Sequence, residues 1–156
     1  MKKVISLIVL NFIVLYSFSQ ENCDPGYFLV KSGSNEKVSY QKIEEALKTL
    51  DKNCIEKNAE YSEMANEYVF HCLTYSSCNF LKVLSQNTKQ PFYAIVLNEI
   101  ENPVSDIYEF EKLYCNVVEY NKRYEDKVGD DVLATLQKWI FYFIPKSNIE
   151  TKDVKD

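Results

Sequence analysis

The sequence predicts an all-α protein: a single compact bundle of five or six helices, braced by disulfides and entered through an irregular N-terminal segment. Three observations lead there. Apolar residues recur with a 3.6-residue period through most of residues 39–145. Helix-capping and helix-breaking residues fall between the periodic stretches, at Ser39, Ser76-Ser77, Pro91, Asn102-Pro103, Gly129 and Pro145. Five cysteines, at 23, 54, 72, 78 and 115, follow what reads as an export signal. No internal repeat and no linker divides the chain, so one domain is expected.

Residues 1–19 have the pattern of a cleaved signal peptide. Lys2 and Lys3 supply the positive end, residues 4–16 are apolar apart from Ser6 and Asn11, and Ser17 and Ser19 are the small residues of a cleavage site. The apolar run falls short of the ~20 residues that a membrane span needs, so no stable membrane anchor is expected after cleavage. A periplasmic or secreted location follows. Residues 20–38 read as the irregular entry, with a turn at Asp24-Pro25-Gly26.

Ser39 is placed to cap the first helix, whose stripe is Ile43, Ala46, Leu47 and Leu50, ended by residues 51–54. A second helix is expected from about residue 55 to Tyr75, with Tyr61, Met64, Ala65, Tyr68, Val69, Cys72 and Tyr75 on one face and Glu56, Glu60, Glu63 and Glu67 on the other. Ser76 or Ser77 starts a short helix carrying Phe80, Leu81, Val83 and Leu84. Residues 91–97 admit either strand or helix; Pro91 suits a first helical turn, and the register continues to Ile100, so helix is favoured.

The next helix is expected from Ser105 or Asp106, with Glu109 completing a capping box, and its stripe runs through Ile107, Phe110, Leu113 or Tyr114, Val117 and Tyr120 or Asn121, with Tyr124 at the end. Gly129 is expected to break the chain before a last helix capped by Asp130 or Asp131, with Val132, Leu133, Leu136, Trp139, Ile140, Phe143 and Ile144 inward. Residues 146–156 form a charged tail with nothing to bury, expected to be disordered.

Charge narrows the function. The net charge is −5 and becomes −7 without residues 1–19, which carry two lysines and no acids. That balance opposes nucleic acid, which requires clustered Lys and Arg, and opposes an anionic membrane surface. It favours a basic protein partner. Three glycines in scattered contexts provide no GxGxxG, P-loop or GxSxG element, and no CxxC or CxxCH pair occurs, so no cofactor is called for.

One constellation could carry chemistry. Glu63, Glu67 and His71 are spaced i, i+4, i+8, which lines two carboxylates and the only imidazole along one helix face. They are candidate metal ligands, or a base tuned by its neighbours. The simpler reading is a solvated acidic face with a histidine near a helix C-terminus, where positive charge is favoured. Glu109, Glu111 and Asp106, like Asp130 and Asp131, read as capping and surface charge. His71 and Cys72 do not make a catalytic pair, because adjacent helical residues point about 100° apart.

Cys23, Cys54, Cys72, Cys78 and Cys115 are all disulfide candidates, and the odd number leaves one thiol over. A straight helix over residues 55–75 would hold Cys54 and Cys72 about 27 Å apart, too far to bond. Cys72–Cys78 is feasible if Ser76-Ser77 breaks the helix and is the preferred bridge, with Cys54–Cys115 or Cys23–Cys54 as the second. Tyr40, Tyr120, Tyr124 and Tyr142 fall off or at the edge of the stripes and are the interface candidates. The function expected is an exported, acidic helical binding protein that sequesters a basic protein partner. Immunity and inhibitor proteins share that size, charge and compartment. The alternative is a metal-binding protein or enzyme centred on Glu63, Glu67 and His71.

Overall fold

The computed structural model describes residues 23–28, 35–104 and 109–143. The expected signal peptide and charged tail, and Ser105 and Asp106, lie outside the described residues. A 3-10 turn (Pro25–Phe28) is followed by α1 (Tyr40–Lys48), α2 (Lys52–Lys57), α3 (Ala59–Tyr75), α4 (Ser77–Gln86), α5 (Pro91–Glu101), α6 (Phe110–Tyr124) and α7 (Lys127–Phe143). The described residues are all-helical with no strand, and they hold seven α-helices where five or six were expected.

The extra helix comes from two side-chain caps. Asp51 ends no helix; its Oδ1 accepts the Asn53 and Cys54 amides at 2.7 and 3.3 Å and starts α2. Asn58 then takes an extended conformation, and its Oδ1 accepts the Tyr61 amide at 3.1 Å to start α3. A short polar side chain that bonds its own backbone competes with helix continuation, so the expected run from residue 55 splits there. The break at Ser76 falls where it was expected, and residues 91–97 are helical, with Pro91 in the first turn.

α3 is the centre of the molecule. It packs against the 3-10 turn, α2, α4, α5 and α6, while α7 lies on α5 and α6 and α1 on α4. Burial on α3 consequently extends beyond the predicted stripe to Asn66, Phe70, Leu73 and Thr74, as for a helix covered on several sides. Phe80, Leu81, Leu84, Ile100, Leu113 and Leu136 close the core around it.

Among the five cysteines, the bond is Cys23–Cys54, with Cα atoms 5.5 Å apart. Cys72, Cys78 and Cys115 are free thiols, which overturns the preferred Cys72–Cys78 bridge and the Cys54–Cys115 alternative. The Ser76 bend does turn the chain, but Cys72 stays in the core, Cys78 opens towards α6, and Cys115 is exposed. The Cys23–Cys54 bond holds the 3-10 turn down. There Phe28 meets Tyr61 edge-on with ring centroids 5.2 Å apart, and Tyr68 at 5.8 Å.

The α6–α7 corner also differs from expectation. The chain turns at Glu125, which takes the left-handed conformation with φ 47°. Asp126 caps α7 by accepting the Gly129 amide at 2.9 Å. Gly129 lies inside the first turn of α7, pressed so closely on Asn121 that a Cβ would collide with it. Asp130 and Asp131, freed from capping, bind Asn121 Nδ2 at 2.7 Å and the Tyr93 hydroxyl at 2.8 Å. Glu125 is the only described non-glycine residue with positive φ. Glu125→Gly is therefore expected to stabilise the fold by about 0.5–1 kcal/mol, read as a higher urea midpoint with unchanged slope. A lower midpoint would mean that the Glu125 side chain supports the turn.

Candidate functional site

The exposed side of α3 carries the predicted acidic row. Glu60, Glu63 and Glu67 are exposed and repeat at i, i+3 and i+7, so they share one face. Elsewhere acids meet cations: Glu44 with Lys48 at 3.0 Å, Glu56 with Lys52 at 3.5 Å, Glu109 with Lys112 at 3.3 Å and Glu101 with Lys138 at 2.5 Å. Among the described residues Glu60, Glu63 and Glu67 make no ion pair.

His71 sits at the end of that row but is turned to another task. Its Nε2–H donates to the Glu36 carbonyl at 2.9 Å, which ties the segment before α1 to α3. Its ring lies 4.9 Å from that of Tyr75. Tyr75 in turn donates to Glu109 Oε1 at 2.7 Å, and Lys112 Nζ stands 4.2 Å from its ring centroid. The Tyr75 hydrogen bond, then Lys112, holds the Glu109 carboxyl below the usual glutamate range. This surface cluster joins α3 to α6. No group of three or more His, Cys, Asp or Glu among the described residues is arranged to hold a metal ion.

Cys72 is withdrawn from chemistry altogether. Burial pushes its thiol up to about 12, so it stays protonated. Tyr68 beside it is likewise raised by burial.

The interface tyrosines separate. Tyr40 is half-buried, and its hydroxyl donates to Gln86 Oε1 at 2.5 Å, joining α1 to α4. Tyr120 is buried, donating to Asp126 Oδ2 at 2.7 Å, and is a corner brace where an exposed residue was expected. Burial, then Asp126, raises its phenol above the usual range. Tyr124 is 40 % exposed, enough to meet a partner. The Tyr142 side chain lies outside the described residues.

Tyr124 also belongs to a site that the sequence did not assemble. Between the first turn of α4 and the second half of α6 lies a cleft of about 120 Å³, lined by Ser77 and Cys78 on one side and Asn116, Glu119, Tyr120, Arg123 and Tyr124 on the other. Ser76 Oγ accepts the Val38 amide at 2.7 Å, so no side chain caps α4 here. Cys78 Sγ is 3.8 Å from the Tyr124 hydroxyl, and Lys82 Nζ is 5.0 Å from the Tyr124 ring centroid. Hydrogen bonding to Tyr124, then the neighbouring Cys78, raises the Lys82 pKa. Arg123 faces Glu119 at 3.8 Å. The i, i+4 spacing of Cys78 and Lys82 was visible in the sequence; their approach to α6 was not, because no local pattern links residues 46 apart.

Searches against protein-family models, curated proteins and solved structures find no match to this chain.

Proposed function

We propose that this chain is an exported, acidic helical binding protein, of the kind represented by immunity and inhibitor proteins, which sequesters a basic protein partner on the outer face of α3. The supporting observation is the row Glu60, Glu63 and Glu67, exposed and without an ion pair among the described residues. Charges left uncompensated on a rigid helix keep their field for an incoming cationic surface and speed its encounter. The whole-chain charge of −5, or −7 after loss of residues 1–19, acts in the same direction.

The metal or catalytic reading of Glu63, Glu67 and His71 has no observation in its favour. His71 Nε2 is already hydrogen-bonded to Glu36, and both glutamates point to solvent without a donor from a second helix among the described residues.

The test is a triple charge reversal, Glu60→Lys, Glu63→Lys and Glu67→Lys. Exposed substitutions of this kind change stability by about 0.5 kcal/mol or less each, so the fold should survive. The parent chain, immobilised and exposed to envelope extract, is expected to retain a basic protein. The triple variant is expected to bind it at least about tenfold more weakly, and added salt should release it from the parent. Equal retention by both chains, or retention of nothing by the parent, would end this reading.

A further inference from the structure

Glu99, in the last turn of α5, is the only acidic or basic residue buried among the described residues, at 4 % exposure, and no cation pairs with it. Its donors are two neutral amides, Asn66 of α3 at 2.8 Å and the adjacent Asn98. α5 packs chiefly against α3 and α7. α3 brings Glu63 and Glu67 on either side of Asn66, both exposed; α7 brings Asp131 and Lys138, which are taken by Tyr93 and Glu101. None of these charges neutralises Glu99. An acidic docking face has no use for a carboxyl kept from both water and cations.

The same two amides fasten the chain that leaves α5. Asn66 Oδ1 accepts the Val104 amide at 3.1 Å, and Asn66 Nδ2 also donates to the Asn102 carbonyl at 3.1 Å. Asn102 Nδ2 donates to the Asn98 carbonyl at 2.9 Å and to Asn98 Oδ1 at 3.3 Å. The carboxyl and residues 102–104 thus share their hydrogen-bond partners, so the charge on one bears on the fastening of the other.

We propose that Glu99 is a proton-operated latch at the end of α5: protonated, it lets residues 102–104 stay fastened to α3; ionised, it opens that end to water. Burial raises the Glu99 pKa above the ordinary glutamate value, with the Asn66 and Asn98 hydrogen bonds opposing the rise. In an opened end the carboxyl is solvated and titrates as an ordinary glutamate. The closed form is therefore fully favoured below the ordinary pKa and loses ground as pH rises through its own, higher pKa. Each pH unit between the two multiplies the open population about tenfold. The opening is local, because the contacts of α3 with α2, α4 and α6 do not pass through Glu99.

Amide hydrogen exchange tests this in the intact chain, with protection corrected for the pH dependence of chemical exchange. Between about pH 4 and about pH 7, protection at the Asn102 and Val104 amides is expected to fall at least about threefold. The Ser76 amide, bonded to the Cys72 carbonyl at the end of α3, and the Glu125 amide, bonded to the Asn121 carbonyl, should stay level. In Glu99→Gln the fall at Asn102 and Val104 should disappear. Flat protection at those two amides, an equal fall at Ser76 and Glu125, or an undiminished fall in Glu99→Gln would overturn the proposal. The profile of the parent chain alone decides the first two outcomes, whether or not the variant folds.

Discussion

Replacing Cys23 and Cys54 together by alanine is expected to lower stability by about 3–4 kcal/mol. Most of the loss arises in the unfolded chain, where a link across 31 residues removes loop-closure entropy that the variant regains. A further part is native. Residues 23–28 contribute Phe28, which is buried against the Tyr61 and Tyr68 rings, and the bond from Cys23 to buried Cys54 ties the start of that segment to α2. Urea unfolding should show the lower midpoint, and a single Cys54→Ala variant should lose at least as much as the pair. Ala65 and Val69 are fully buried on α3, which also packs against α4, α5 and α6, so the variant should remain helical in the cold. A loss under about 1 kcal/mol would show that the entry segment docks by packing alone. The same chain, unfolded without reductant, should titrate three thiols: Cys72, Cys78 and Cys115.

What could be read from the sequence was whatever repeats within a few residues. The stripe of α3, the break at Ser76 and the Pro91 start of α5 each depend on spacing along one segment, and each is present. The acidic row is legible for the same reason, since i, i+3 and i+7 define a face whatever packs behind it. What was missed depends on partners far along the chain. Gly129 looked like a breaker because glycine commonly ends helices; here it serves close approach of Asn121, and a left-handed glutamate makes the turn. Tyr120 looked like an edge residue until Asp126, six positions on, took its hydroxyl. Cys72 looked bridgeable across a bend, but covering α3 on several sides left its sulfur facing the core. The cleft at Cys78 joins α4 to α6, and only the packing of those helices creates it.

The second large effect is expected at Asn66, a polar residue with 0 % exposure in the middle of α3. Its amide nitrogen donates to the Glu99 carbonyl at 3.0 Å, to Glu99 Oε2 at 2.8 Å and to the Asn102 carbonyl at 3.1 Å. Its oxygen accepts the Val104 amide at 3.1 Å. One side chain thus satisfies the C-terminal end of α5, where backbone carbonyls lack helical partners, and solvates a carboxylate that is only 4 % exposed. Asn66→Ala removes four hydrogen bonds from the buried end of α5 and leaves the Glu99 carboxylate with the Asn98 side chain alone, and a loss of about 2–4 kcal/mol is expected. Asn66→Asp has the same shape but trades the donor for a second carboxylate facing Glu99, so at neutral pH it should cost more than alanine. The pH dependence gives the check. Burial raises the Glu99 pKa above its unfolded value, with the Asn66 hydrogen bond opposing the rise. A raised carboxyl contributes stability that is fully present below the unfolded pKa and is lost as pH climbs through the folded one. Glu99→Gln keeps an acceptor for Asn66 and removes that loss, so its stability relative to the parent should improve from acid to neutral pH. Asn66→Asp should run the opposite way, closest to the parent in acid and furthest from it at neutral pH. Parallel pH profiles for the parent and both variants would show that the α3–α5 contact carries no buried charge.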